Sequence, residues 1–298
     1  MTARTTAGPV PMLTVVRPGP LALLQDAGRF GHAADGVGRS GPADRAAHAR
    51  ANRLVGNDAG ATAVEVTLGG LVIRAEHEVT MAITGAPAPA DVDGDPVAHD
   101  EPLPLAAGQT LRLRAPRTGL RSYLAVAGGV DVPMILGSAS TDTLAGLGPA
   151  PLAAGARLPV GTNRGTGRGA GQVPAAIPLE DTTPVLRVLF GPRDDWFTDP
   201  SALTTGEWQV SPQSNRVGLR LDRPDGTGPA LARARTGELA SEGLVLGAIQ
   251  VPPSGQPVLF LADHPLTGGY PVVAVVVDDD VDRAGQLRPG QRLRFVPA

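Results

Sequence analysis

The stretch Ala63-Val-Glu-Val-Thr-Leu68 sets Val64, Val66 and Leu68 on one side of an extended chain and Glu65 and Thr67 on the other. Period two with β-branched residues predicts a strand with one face in a core. On this pattern Glu65 belongs to the solvated face. Leu111 and Leu113 alternate with Arg112 and Arg114 in the same way. Short apolar runs follow one another along the chain. They lie at Leu13–Val16, Leu21–Leu24, Leu71–Ile73, Val79–Ile83 and Ser122–Ala127, and then at Pro184–Phe190, Trp208–Val210, Val217–Leu221, Pro257–Ala262, Val272–Val277 and Arg292–Val296. Gly and Pro number 39 and 30 of 298 residues and aromatics only 3%, a composition of short strands and tight turns. So many strands must close on themselves or pack face to face, so the chain is expected to be mainly β, built of barrels or sandwiches.

One segment reads as helix. Ser40 lies in the N-cap region and Pro42 suits the first turn. Ala43, Ala46, Ala47, Ala51, Leu54 and Val55 form an i, i+3, i+4 stripe, and Gly56 stands where a helix ends. Two shorter helices are expected near Asp194–Leu203 and Asp279–Gly285. Residues 161–180 (GTNRGTGRGAGQVPAAIPLE) have no periodicity and read as a linker between units at 1–160 and 181–298. The segments Leu105–Leu113 (LAAGQTLRL) and Leu287–Phe295 (LRPGQRLRF) form a weak repeat, with a looser copy at Ala150–Val160. Either two similar β units stand in tandem, or the shared pattern is simply a turn entering a strand.

Composition excludes several chemistries. There is no Cys, hence no disulfide, thiolate nucleophile, thiolate zinc site or iron–sulfur cluster. There is no Lys either, so Schiff-base chemistry and a P-loop lysine are absent. A balance of 26 basic against 29 acidic residues, with no like-charge run, argues against nucleic acid as a partner. No apolar stretch approaches the roughly 18 residues of a membrane span, and Met1–Pro11 lacks a signal-peptide core, so a cytoplasmic location is expected.

Standard motifs fail on inspection. Gly36-Val-Gly-Arg-Ser-Gly41 matches GxGxxG but follows loop rather than a strand. Asp91-Val-Asp-Gly-Asp95 begins like a calcium loop, yet Pro96 and Pro102 replace the required Gly and Glu, so a polar hairpin is expected. The acidic run Asp278, Asp279, Asp280 and Asp282 suits the start of a short helix. His32, His48, His77, His99 and His264 show no helical zinc spacing, and no metal site is expected.

Five Gly-rich polar blocks are richer than ordinary connections. They are Leu24–Arg29, Ser40–Asp44 continuing through Ala51–Asn57 to Glu65, Leu120–Gly129 with Leu136–Thr141, Ser211–Leu221 (SPQSNRVGLRL), and Ala248–Pro257 with Leu261–Asp263 and Leu266–Pro271. Their identity and order, from about residue 13 to 296, resemble the family of the C subunit of prokaryotic 5-oxoprolinase. That family is also termed biotin-dependent carboxyltransferase-like, KipA-like or allophanate hydrolase subunit 2. The most diagnostic blocks are Ser211–Leu221, Ile249–Pro257 (IQVPPSGQP) and Thr267–Pro271 (TGGYP).

The resemblance implies tandem cyclophilin-like β-barrel units with a few short helices. It also implies direct partnership with the B subunit of the enzyme and, beyond it, the A subunit, the complex using ATP to open 5-oxo-L-proline to L-glutamate. Relatives suggest two alternatives: a carboxyltransferase component taking CO₂ from carboxybiotin to a urea-type acceptor, or a non-catalytic regulatory module. Biotin would then arrive on another protein, since this chain has no Lys; no cofactor is expected on the chain itself.

Within these blocks the candidate catalytic residues are Asp263, Gln250 and Tyr270, and the candidate substrate-binding residues are Asn215, Arg216, Thr267 and Gly269. Asp263 offers an acceptor or base, Tyr270 a donor, and Gln250 and Asn215 both donor and acceptor for an amide. Arg216 offers a fork for a carboxylate or phosphate. They also have structural readings: Asn215 as a turn residue, Arg216 as a solvated or partner-facing charge, Gln250 and Asp263 as turn caps, Gly269 as a backbone requirement and Tyr270 as a core aromatic. The chain departs from the family where Ala139 replaces an Arg within GSRST, and where Asp263-His-Pro-Leu-Thr267 replaces DRQTT. Both changes remove positive charge.

Overall fold

A computed structural model describes residues 11–163 and 182–298; beyond residue 163, the expected linker lies outside the described residues. The quoted stretch forms the strand Ala63–Thr67. It lies between Leu21–Gln25 and Arg121–Val126 in a five-stranded sheet completed by Val79–Gly85 and Leu103–Leu105. A seven-stranded sheet runs in the order Gly128–Val130, Arg157–Asn163, Met12–Pro18, Leu71–Ala75, Thr110–Leu113, Ala90–Val92, Asp95–Val97. Val64 and Val66 point between the two sheets, where Leu13, Val15, Ile73, Leu111 and Leu124 complete one core.

The second half is a closed seven-stranded barrel in the order Val185–Phe190, Val272–Val276, Ala248–Gln250, Val258–Phe260, Gly218–Asp222, Trp208–Val210, Arg292–Pro297. Neighbours are antiparallel except where Val185–Phe190 meets Arg292–Pro297. Its own core gathers Leu186, Trp208, Leu219, Ile249, Leu259 and Phe295. The two large cores share no residue.

The main helix covers Arg45–Leu54, starting later than the Pro42 signal suggests. Asp44 is the N-cap: its carboxylate accepts from the Ala47 amide at 2.9 Å, while its own amide donates to the Tyr123 hydroxyl at 2.8 Å. A carboxylate acceptor with a fixed amide is a stronger start than Ser40, whose hydroxyl is engaged elsewhere. Ala47 and Ala51 pack on Ala63, Tyr123 and Ala125, the back of the five-stranded sheet. Glu65 therefore lies beneath the entry to this helix, 1% exposed, not on a solvated face.

Asp194–Leu203 is two single turns, Asp194–Trp196 and Pro200–Leu203. Pro200 cannot donate a helical bond and Asp199 caps the second turn through the Ser201 amide. The third expected helix is present at Asp278–Ala284. Its acidic residues are taken by arginines: Asp278 and Asp282 each lie 2.8 Å from Arg45, and Asp280 lies 2.9 Å from Arg187. Asp91 accepts from the Gly94 amide within a hairpin and pairs with Arg112 and Arg114.

The sequence repeat has a physical counterpart. The Gln109 amide donates to the Ala106 carbonyl while the Gln109 side chain accepts from the Ala106 amide at 2.8 Å. Gln291 and Arg288 repeat both bonds, the side-chain one at 3.1 Å. Each turn feeds a strand, Thr110–Leu113 and Arg292–Pro297.

Candidate functional site

Between the strands Trp208–Val210 and Gly218–Asp222 the chain reverses through Ser211–Val217. Asn215 closes this turn: its side-chain oxygen accepts from the Val217 amide at 2.9 Å and its own amide donates to the Gly218 carbonyl at 3.1 Å. The turn projects Arg216 out of the barrel and into the first half. There it is 2% exposed, with its guanidinium fully engaged between two carboxylates. Nε and Nη2 donate to the two oxygens of Asp263 at 2.9 and 3.0 Å. Nη1 donates to Glu65, and Nη2 also donates to the Gly41 carbonyl.

Both carboxylates are satisfied on their remaining lone pairs. Asp263 accepts from the Ser40 hydroxyl at 2.7 Å and from the Thr143 hydroxyl and amide at 2.6 and 2.9 Å. Glu65 accepts from the Tyr123 hydroxyl at 2.9 Å and the Ala43 amide at 3.0 Å. Burial works against ionisation of Glu65, but Arg216 and Arg121 outweigh it and hold its pKa below the usual range. The same balance of burial against Arg216 lowers Asp263. Tyr123 is pushed well above its ordinary value by burial and by the adjacent Glu65 and Asp44.

A second polar contact crosses the seam nearby. Gln286 accepts from the Leu120 and Arg121 amides at 3.0 and 2.9 Å and donates to Asp44 and the Arg121 carbonyl at 2.6 and 3.0 Å. Burial pushes the Asp44 carboxyl up to about 7, despite the bond from Gln286. Arg121 donates from Nη1 to the Gly285 carbonyl. Its Nε lies 3.5 Å from Glu65 and has no hydrogen-bond partner among the described residues.

Beside this network lies a cleft of about 410 Å³ that both halves line. Apolar walls come from Leu21, Leu68, Leu120, Leu219 and Leu287; polar groups come from Arg121, Thr143, Asn215 and Arg216. A mostly apolar concavity with few convergent polar groups, at the meeting of two units, is the usual form of a small-molecule site. One donor stands ready in it, the Asn215 side-chain NH₂, since the turn uses only that residue's oxygen; the Arg121 guanidinium is buried against Glu65 and the Gly285 carbonyl.

The seven expected site residues fall into two groups. Asn215, Arg216 and Asp263 meet at the seam, where the fork expected for a ligand carboxylate holds Asp263. Gln250, Thr267, Gly269 and Tyr270 sit together on the barrel, and none of them lines the cleft. Gln250 donates to the Tyr270 carbonyl at 2.9 Å, fixing the Thr267–Pro271 segment, and a Cβ at Gly268 would come within 2.5 Å of the Gln250 amide nitrogen. Tyr270 itself is 46% exposed. The strand alternation assigned Glu65 to a solvated face; Ser40 and Tyr123 lay inside the polar blocks without a role of their own, and Thr143 and Gln286 lay in none of them. The signal for Glu65 and Tyr123 was polar residues inside runs that otherwise read as core, such as Arg121-Ser-Tyr in a strand buried throughout.

Around Ala139 the loop closes on Asp26, whose carboxylate accepts from the Ser138 and Ser140 hydroxyls, both at 2.6 Å, and from the Ala139 amide at 2.7 Å. Ala139 is fully buried, and positive charge here comes from Arg29, whose Nε donates to the Ile135 carbonyl at 3.2 Å.

Known proteins share this fold. The model of the carboxyltransferase domain, subdomain A and B, matches residues 35–297. The chain is 40% identical over 290 residues to the 5-oxoprolinase C subunit of Escherichia coli, covering 96% of this chain and 91% of that one. It is 34% identical to the Haemophilus influenzae protein of the same name, over 92% of this chain and 87% of that one. Urea amidolyase of Saccharomyces cerevisiae is 34% identical over 96% of this chain, which spans only 16% of that protein. Among solved structures, TTHA0988 superposes with a TM-score of 0.82 at 36% identity, over 97% of this chain and 56% of that one. The Kluyveromyces lactis urea amidolyase gives 0.85 at 29% identity, over 98% and 19%. Among the described residues no helix is long and apolar enough to cross a membrane.

Proposed function

Because the chain belongs to the carboxyltransferase domain, subdomain A and B, family, we propose that it is the C subunit of an ATP-dependent 5-oxoprolinase. It would act with a directly bound B subunit, and with the A subunit, to open 5-oxo-L-proline to L-glutamate. The observation that carries this reading is the end-to-end match to two 5-oxoprolinase C subunits, 91% and 87% of whose lengths are covered. The cleft supports it chemically. Its leucines suit the CH₂ groups of a five-membered ring, and the Asn215 NH₂ is a donor for a lactam carbonyl. A lactam is resonance-stabilised, so its opening requires a more electrophilic carbonyl. A fixed donor aimed at the developing oxyanion contributes about 2.7–4 kcal/mol.

In this reading Arg216 and Asp263 are positioning residues. Asp263 receives five hydrogen bonds and titrates below the ordinary range, so it is a poor proton acceptor. Its work is to hold the barrel against the first half and so keep open the cleft that Asn215 lines.

The test is reconstitution. ATP hydrolysis and glutamate formation from 5-oxo-L-proline are measured with the A and B subunits, in the presence and absence of this chain. Dependence of both on the chain is the expected result. Activity unchanged without the chain, or absent from a folded complete mixture, would overturn the reading. The match to urea amidolyase favours one alternative, a carboxyltransferase component. Any biotin would have to be carried by another protein, as the chain contains no Lys. Chain-dependent loss of CO₂ from carboxybiotin to an acceptor, without glutamate formation, would favour it.

A further inference from the structure

A second, larger cavity of about 650 Å³ adjoins the cleft along the seam, and Leu68 and Pro289 line both. Its chemistry is different. Arg117, Arg288 and Arg292 line it with Thr118, Thr182 and Thr183, and among the described residues no Asp or Glu is in its wall. Arg288 is held by the turn it belongs to and by the first half: Nη1 donates to the Arg117 carbonyl and Nη2 to the Pro116 carbonyl at 3.2 Å. No carboxylate among the described residues pairs with Arg288 or Arg117, and Arg292 reaches Glu207 at 2.8 Å. The cavity thus brings together two guanidiniums without a carboxylate partner among the described residues, a third that has one, and neutral hydroxyl donors.

We propose that this cavity binds the phosphate groups of a phosphorylated ligand. Guanidiniums present paired N–H donors that match phosphate oxygens, and hydroxyls add donors without charge. A carboxylate ligand alone would leave most of these donors unused, whereas a polyphosphate supplies oxygens across the whole wall. The shared border with the cleft sets a bound phosphate beside a bound small molecule. Two sources have this chemistry: the polyphosphate of ATP and free inorganic phosphate. Assigning the source to ATP rests on the oxoprolinase reading; the affinity for phosphate does not.

The full chain is titrated by calorimetry with ATP, ADP, inorganic phosphate and adenosine, first alone and then with the A and B subunits. Saturable binding of at least one phosphate compound and none of adenosine is expected. Arg117→Glu and Arg292→Glu should each weaken that binding by about tenfold or more, as loss of a charge-assisted hydrogen bond implies. Arg74→Glu, an exposed charge reversal outside the cavity, should leave it unchanged. Tighter binding of ATP identifies the nucleotide as the source; tighter binding of inorganic phosphate identifies the free ion. Absence of binding in both settings, or binding indifferent to Arg117→Glu and Arg292→Glu in folded variants, overturns the proposal. Phosphate binding without chain-dependent glutamate formation would leave this site standing and remove the oxoprolinase reading.

Discussion

Replacing Arg216 with Met keeps most of the side-chain volume and removes the charge that joins the two halves. Two carboxylates then remain in a buried seam. Asp263 keeps the Ser40 and Thr143 donors, and Glu65 keeps Tyr123, Ala43 and the more distant Arg121. Removing one partner of a buried ion pair costs about 3–5 kcal/mol, because the other charge stays desolvated. At about 2–4 °C per kcal/mol for a large domain, the melting temperature should fall by roughly 6–20 °C. The effect has a pH signature. In the native protein both carboxyls titrate below their ordinary values, so their stabilisation is present above the unfolded pKa, near 4, and is lost as pH falls through the lower folded value. In Arg216→Met burial is no longer offset at Asp263, its carboxyl titrates upward, and acid relieves the buried charge. The gap in melting temperature between the two proteins should therefore narrow as the pH is lowered toward about 4. Differential scanning calorimetry at several pH values measures this. A variant melting within about 2 °C of the native protein, or a gap that widens in acid, would refute the assignment of Arg216 as the buried clamp.

Asn215→Asp retains the oxygen that closes the turn but replaces the NH₂ donor; the melting temperature should barely change, while turnover by the reconstituted complex falls by about tenfold or more. Asp44, raised to about 7 by burial, holds its proton more tightly folded than unfolded, so its contribution to stability declines as pH rises from about 4 through 7. Asp44→Asn should flatten that part of the urea-denaturation profile. Gln286→Ala strands the buried Leu120 and Arg121 amides and should cost about 1–3 kcal/mol by urea denaturation. Gly268→Ala drives a Cβ toward the Gln250 amide, so limited proteolysis should detect loosening around Thr267–Pro271 with little change in global unfolding.

The longer strands were legible where they carry their own period, whereas three-residue strands such as Ala90–Val92, Leu103–Leu105 and Gly128–Val130 are too short to show one. Val64, Val66 and Leu68 announce an inner face whatever surrounds them. What covers the outer face is not a local property. Glu65 obeys the alternation and points away from the valines, yet the entry to the Arg45–Leu54 helix closes over it. The helix start moved for a similar reason: Pro42 is compatible with a first turn, but the Tyr123 hydroxyl fixes the Asp44 amide and moves the cap onward to that residue. The Asn215–Arg216 block was visible as an unusual polar stretch. Its partners were not, because Glu65, Ser40 and Thr143 reach it only through tertiary folding across both halves.

The way the halves are joined bears on how a cleft can exist between them. Each large core is closed within its own unit. Apolar contact alone, being non-directional, would allow the barrel to slide over the first half and close the cavity. Directional bonds do not allow this. Arg216 must meet two carboxylates in a fixed fork, Gln286 must reach two successive backbone amides and Asp44, and Arg288 must find the Pro116 and Arg117 carbonyls. These anchors lie in two places on the barrel, the turn carrying Arg216 and the segment Gln286–Arg288, and together they fix its orientation. The cost is a seam of desolvated charges that contributes little net stability compared with apolar packing. The return is a preformed space, lined by residues of both halves, in which Asn215 is in place for a ligand before it arrives.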